Sequence, residues 1–134
     1  MTIEDERALV EQFVKAVNEQ DYDRFDQLLA DDFSIPPSTP EGLSRDALKN
    51  ILTYYFTAFP DLHYEIQQQV AEGDRLMVHL KMRGTHKGDY QGHQGSGKSF
   101  EVDEVEIMQI ANGKIAGYHI VWDEAGFRRQ LGIA

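Results

Sequence analysis

Near the amino terminus, apolar side chains fall at the spacing of one helix face. Ile3, Val10, Phe13, Val14 and Val17 recur three, four or seven positions apart, which fits a period of 3.6 rather than 2. Thr2 followed by Asp5 reads as a capping box in which the acid stands where Glu or Gln is usual. Asp21 is expected to cap a second, shorter helix with Tyr22, Phe25, Leu28 and Leu29 as its apolar face. Pro36, Pro37, Pro40 and Gly42 mark a loop. Ser44 then opens a third helix that turns Ala47, Leu48, Ile51, Leu52, Tyr55 and Phe59 inward. Pro60 ends it, because its ring cannot continue the hydrogen-bond ladder.

Past Pro60 the period changes to two. Leu62, Tyr64, Ile66 and Val70 alternate with His63, Glu65, Gln67 and Gln69, and after a turn at Glu72-Gly73-Asp74 the set Leu76, Val78, Leu80 and Met82 does the same. A Gly-rich loop over 87–97, read as a flexible connection at the rim, leads to a strand over 99–110. Asn112-Gly113 is a hairpin signal, since both residues tolerate positive φ. The last strand runs over 114–122. The expected fold is α+β: one domain over 1–134 in which three N-terminal helices wrap a curved antiparallel sheet as a cone-shaped barrel around an apolar pocket. The inward strand positions would be 76, 78, 80 and 82, then Phe100, Val102, Met108 and Ile110, then Tyr118, Ile120 and Trp122. The outward face carries Met77, Val105, Ile107 and Val121 beside polar residues, a mixture suited to a homodimer contact.

Charge narrows the partners. Against 23 Asp and Glu there are 13 Lys and Arg, a formal charge of -10, which repels phosphate backbones and anionic lipid and so argues against nucleic acid or membrane partners. With no cysteine there is no disulfide, thiolate nucleophile or zinc–thiolate site. The charged start and the absence of an apolar run of about 18 residues give a cytoplasmic location as the default expectation. No two His have helical metal-ligand spacing, so no metal is expected.

One motif invites a nucleotide reading. Gly92, Gly97, Lys98 and Ser99 satisfy the spacing of the phosphate-binding loop. That chemistry requires a helix after the loop, whose N–H groups and dipole hold the phosphates. Here the strand-like, acidic 100–107 follows, and the reading is rejected.

The chemically informative anomaly sits in the same strand. If Val102 and Met108 point inward, period two turns Glu104 and Glu106 inward as well. A carboxyl beside apolar walls disfavours its charged form, and a second one nearby raises the pKa further, toward values useful in general acid–base work. The structural alternative is a bulge, or pairing with Lys or Arg at the mouth. His86 shares the parity of Met82 and Gly84 and would reach the inner rim, either as a proton-transfer group or with its ring bonded to a backbone carbonyl. Tyr118 would present a phenol inward, as a ligand donor or as a core residue satisfied by one partner.

Phe59-Pro60-Asp61-Leu62, Ala71-Glu72-Gly73-Asp74, Gly84-Thr85-His86-Lys87-Gly88, Asn112-Gly113-Lys114-Ile115 and Arg129-Gln130-Leu131-Gly132 occur in an order that resembles the SnoaL-like polyketide cyclases, often labelled ester cyclases. These belong to the cone-shaped α+β superfamily of ketosteroid isomerase, scytalone dehydratase and nuclear transport factor. The resemblance spans nearly the whole chain and implies a bent sheet wrapped by helices, a deep apolar cavity, and a dimer formed through the sheet. In the characterised cyclases an Asp on the last strand is the general acid–base of an intramolecular aldol closure, without metal or cofactor. Counting from Gly113-Lys114-Ile115, that position holds Ile120 here, and the family's His two residues earlier is Tyr118. A loop His is replaced by Pro36 and a cavity His by Glu106, while His86 and Asp123 match positions often filled the same way.

The resulting expectation is a cofactor-independent isomerase, lyase or cyclase acting on a small hydrophobic carbonyl compound. Glu106 would be general base or acid, Glu104 would tune it, and His86 or Tyr118 would polarise the carbonyl. The ligand would lie against Val17, Phe33, Tyr55, Met82, Tyr118, Trp122 and Asp123. Loss of the acid at 120 motivates the alternative, a ligand-binding or dimerisation module of the same fold that catalyses nothing.

Overall fold

The computed structural model describes residues 1–133; Ala134, the end of the expected domain, lies outside the described residues. Helix α1 spans Ile3–Asn18 and opens on the expected capping box. The Asp5 N–H donates to Thr2 Oγ1 at 3.1 Å, and the Thr2 N–H donates to Asp5 Oδ2 at 3.0 Å. Ile3 is exposed, because it lies in the first turn ahead of the buried stripe of Leu9, Val10, Phe13, Val14 and Val17. The second helix is shorter than its pattern suggested. It consists of a 3-10 turn, Tyr22–Arg24, and α2, Phe25–Leu28, and Asp21 makes no side-chain cap bond. At Leu29 the chain enters β1, Leu29–Ser34, a strand absent from the sequence reading. Helix α3 spans Arg45–Ala58 with Ser44 as its cap; it buries Leu48, Leu52 and Phe56, the last not expected.

Four longer strands follow: β2 His63–Glu72, β3 Arg75–Thr85, β4 Ser99–Ala111 and β5 Lys114–Trp122. The order across the sheet is β1-β5-β4-β3-β2, with β1 parallel to β5 and the other pairs antiparallel. The expected all-antiparallel meander is therefore corrected at one edge, and the curved sheet stays open between β1 and β2 rather than closing as a barrel. Parallel pairing of segments some eighty residues apart leaves no local trace, and the polar stretch Leu29–Ser34 has none of the alternation that marks a strand. Gly117 permits the close approach: a Cβ there would fall 2.1 Å from the Ser34 carbonyl oxygen.

Two bulges break the constant parity expected from sequence. In β2 the register shifts between Ile66 and Gln68, which turns Val70 out to 60% exposure. In β5 a shift at Gln109/Ile110 lets both Ile115 and Tyr118 be buried. An extra residue in one strand reverses which face every later side chain takes. A fourth helix, α4 over Glu124–Leu131, was also unanticipated; it buries Phe127 and Leu131 and ends on Gly132 at φ 73°. Helices α1, α3 and α4 pack on β2, β1 and β4 respectively. Among the described residues no helix is long and apolar enough to cross a membrane.

Candidate active site

Between α3 and the concave face of the sheet lies a cavity of about 260 Å³, lined by Leu43, Leu48, Ile51, Leu52, Tyr55, Tyr64, Met82, Glu104, Glu106, Tyr118, Ile120 and Trp122. Leu43 and Ile120, each 38% exposed, mark its mouth. Below it a void of about 20 Å³ reaches Phe13, Val14 and Val17 and shares Glu106, Tyr118, Tyr64 and Leu52 with the main space, so Glu106 lies at the floor.

Strand register delivers both acids. Alternation along β4 buries Val102, Glu104, Glu106 and Met108 together, and the two glutamates keep only 7% and 6% of their surface exposed. Their ladder neighbours are apolar on both sides. Glu104 faces Leu80 and Trp122, and Glu106 faces Val78 and Ile120. One oxygen of each, Glu104 Oε2 and Glu106 Oε1, is buried without a hydrogen-bond partner. A carboxylate so placed has lost its water without gaining a cation, and the proton stays on instead. Burial pushes Glu104 up to about 7. Glu106 is pushed well above its ordinary 4.5, by burial first and then by the charge of Glu104. Burial, followed by the negative charge of the two glutamates, also holds Tyr64 and Tyr118 as neutral phenols.

The other walls are fixed from outside the cavity. Asn18, the last residue of α1, clamps Tyr64 at both backbone groups: its Nδ2 donates to the Tyr64 carbonyl and its Oδ1 accepts the Tyr64 N–H, each at 2.9 Å. Phe13 and Phe33 flank the Tyr118 ring at centroid distances of 6.2 and 5.7 Å. Phe127 braces Trp122 at 5.2 Å.

The structure thus brings together Glu104, Glu106, Tyr55, Met82, Tyr118 and Trp122, with Val17 at the small void beneath. Three expected residues stand apart. Phe33 backs Tyr118 without lining the cavity. Asp123 caps α4, accepting the Gly126 N–H at 2.8 Å, because the helix begins at the next residue. His86, 1% exposed, is turned away from the cavity into the Gly-rich loop, with Nε2 3.1 Å from the His93 carbonyl oxygen and Nδ1 3.2 Å from Ser96 Oγ. This is the backbone-bonded alternative, and the fully paired ring has no place at the cavity wall. Ile120, expected in the core, is a mouth residue. Tyr64 was missed as a wall although its parity with Leu62 and Ile66 pointed inward; Leu43 gave no periodic signal. The loop over 87–97 is held rather than loose. The Lys87 and Gly88 N–H groups donate to the Ala58 carbonyl, Gln91 N–H donates to Tyr54, and β4 begins at Ser99, so no helix follows the phosphate-loop lookalike. Among the described residues no three His, Asp or Glu are grouped to hold a metal ion.

A family model described as SnoaL-like polyketide cyclase matches residues 7–131. The aklanonic acid methyl ester cyclase DauD of Streptomyces sp. (strain C5) is 26% identical over 128 residues, covering 92% of this chain and 80% of that protein. Its counterpart DnrD of Streptomyces peucetius is 28% identical over 94 residues, 69% of this chain; the match spans 65% of that relative's length. Among solved structures, TsrD from Streptomyces laurentii superposes with a TM-score of 0.89 at 25% identity, covering 100% of this chain and 99% of that one. A SnoaL-like polyketide cyclase from Agrobacterium tumefaciens, at 21% identity and a TM-score of 0.78 over 92% of this chain and 95% of its own, shares the fold.

Proposed function

The chain belongs to the SnoaL-like polyketide cyclase family, and on that premise we propose that it is a cofactor-independent isomerase, lyase or cyclase acting on a small hydrophobic carbonyl compound of polyketide or steroid type. The observation that carries this reading is the pair of buried, cation-free carboxyl groups in an apolar cavity. The position that the resemblance assigns to a catalytic Asp holds Ile120, but Glu106 is its direct partner across the β4–β5 ladder. Side chains so paired stand about 5 Å apart at Cβ. An acid is therefore supplied to the same part of the cavity from the neighbouring strand.

The two carboxyls divide the labour. Glu104, at about 7, is half ionised at neutral pH, and as carboxylate it takes the proton from the carbon beside the ligand carbonyl. The electrons of that C–H bond form the enol C=C bond as the carbonyl π pair moves to oxygen. Glu106, held in its protonated form by burial and by the charge of Glu104, donates its proton to that oxygen; the neutral Tyr118 phenol is a second donor at the floor. From a conjugated dienol, the Glu104 proton returns to the far carbon while the enol O–H proton goes back to Glu106 as the carbonyl re-forms, giving an isomer. If the enol carbon instead attacks a second carbonyl, the ring closes, the enol O–H proton again returns to Glu106, and the Glu104 proton passes to the new alkoxide oxygen.

A thermal-shift panel at neutral pH tests the ligand class. Aryl ketones, steroid ketones and terpenoid carbonyls are expected to stabilise the protein, and fatty acids and ATP with magnesium are not, because the cavity offers an anion no cation. At a hundred times its Kd a ligand adds roughly 2.7 kcal/mol, a rise of several degrees in Tm. Silence from every carbonyl compound sinks the reading; binding without turnover of any of them decides for the non-catalytic module.

We also propose a homodimer through the convex sheet face. Met77 is 46% and Val121 62% exposed there, with Val105 and Ile107 half-buried beside them. Sedimentation at micromolar concentration should show twice the mass of the chain, and a monomer refutes it.

A further inference from the structure

Tyr55 lines the cavity from α3, and its hydroxyl lies 3.3 Å from that of Tyr90, a residue of the Gly-rich loop that does not line it. Tyr90 is buried, packed against Phe59, Phe127 and Tyr54 at centroid distances of 5.5, 5.5 and 5.9 Å. Among the described residues its hydroxyl has Tyr55 as its hydrogen-bond partner. Either hydroxyl can be the donor of this pair; with Tyr90 as donor, its buried proton avoids the desolvation cost of an unmade bond. The Tyr55 proton is then free to point into the cavity. Burial, the main cause, raises the Tyr55 pKa and keeps that phenol protonated.

Tyr90 is itself held from the far side of the loop. Its N–H and carbonyl exchange hydrogen bonds with His93 at 2.8 and 2.9 Å, and the same His93 carbonyl lies 3.1 Å from His86 Nε2. The His93 carbonyl can only accept, so His86 Nε2 carries the proton offered to it and, in the neutral ring, Nδ1 accepts from the Ser96 hydroxyl, whose oxygen also accepts the Lys98 N–H at 3.2 Å. Two glycines of the loop lie close against neighbouring backbone. A Cβ on Gly95 would lie 2.2 Å from the Lys87 carbonyl oxygen, and one on Gly88 2.5 Å from that of Thr57.

We propose that Tyr90 donates to Tyr55 and is thereby a positioning residue that aims the Tyr55 hydroxyl at a second oxygen of the ligand, the first lying at the acid pair, and that His86 serves the site by holding the loop carrying Tyr90. The inference rests on the cavity being the ligand site, and it gives the ligand two acceptor oxygens.

The test compares meta-diacetylbenzene with meta-ethylacetophenone, which lacks one oxygen, by calorimetric Kd. The wild type prefers the diketone by roughly three- to tenfold, the worth of one neutral hydrogen bond. Tyr90→Phe abolishes that preference while leaving ethylacetophenone binding unchanged; Tyr55→Phe also abolishes it, and the ratio of the two Kd values in the double variant falls no further than in either single variant. His86→Leu behaves like Tyr90→Phe, whereas His86→Gln, whose amide can still donate to the His93 carbonyl, keeps the preference. A Tyr90→Phe protein that retains the wild-type preference overturns the inference and leaves the acid–base reading standing. Failure of the wild type to prefer the diketone, or to bind either compound, also overturns the inference; the acid–base reading falls with it only if the thermal-shift panel of carbonyl compounds is silent as well.

Discussion

Replacing Glu104 and Glu106 together by Gln is expected to stop turnover of any carbonyl compound the protein converts and, at the same time, to stabilise the fold at pH 8. Both effects have one cause. Each acid has a folded-state pKa raised above its ordinary 4.5, chiefly by burial. Below that ordinary value both carboxyls are protonated in the folded and the unfolded chain, and burial of the neutral groups is tolerated. As pH rises past it, the unfolded chain releases protons that the folded chain retains. Stability is therefore lost progressively from about pH 4.5 as pH rises through the folded-state values, about 7 for Glu104 and well above 4.5 for Glu106. For Glu104 alone the difference amounts to about 3 kcal/mol at pH 8, and Glu106 adds in the same direction. Gln has no such titration. Denaturant midpoints of wild type and double variant should thus diverge between pH 5 and pH 8, the variant becoming the more stable. Each single variant should lower the rate by roughly 10²–10⁴-fold, the range of a lost general acid or base. Midpoints that run parallel across that pH range would mean that the two carboxyls titrate normally, and the assignment of acid–base roles would lose its basis.

Phe127→Ala is expected to destabilise the protein by about 3–5 kcal/mol, the cost of emptying a buried Phe site, with a fall in Tm on the order of 10–20 °C. Phe127 is fully buried at the centre of an aromatic cluster, 4.7 Å from Phe100, 5.2 Å from Trp122, 5.5 Å from Tyr90 and 5.7 Å from Phe59 between ring centroids. Those neighbours belong to β4, β5, the Gly-rich loop and the end of α3, so the cavity left behind cannot be closed by one element moving alone. Phe127→Leu keeps most of the volume and should cost much less. A loss below 1 kcal/mol for the alanine variant, measured by urea unfolding, would show that α4 is not integral to this core.

The local sequence pattern does not encode this cluster. The segment Glu124–Leu131 has the marks of a helix after the fact, with Asp123 before it and Gly132 beyond it. Gly126, however, lowers its helix propensity, and the resemblance gives Asp123 to the ligand rather than to the cap. Gly126 is there because a Cβ would fall 2.2 Å from Asp123 Oδ2, the carboxylate that caps the helix. Such a contact exists only once the chain has turned.

Sequence alone determined what repeats at short range. The stripe of α1, its capping box, the start and stop of α3 and the alternation of β3 and β4 are local properties, and they were enough to turn Glu104 and Glu106 toward the core. Resemblance across ordered segments added the family. The tertiary structure decided whatever depends on partners distant in the chain: the parallel pairing of β1 with β5, the bulges that send Val70 outward and bury Ile115 with Tyr118, and the burial of His86 in loop contacts. Periodicity states which side a residue takes relative to its neighbours. It does not state where an extra residue reverses that side, nor which carbonyl a buried imidazole will meet, because those outcomes are fixed by the packing of segments whose meeting the local pattern does not encode.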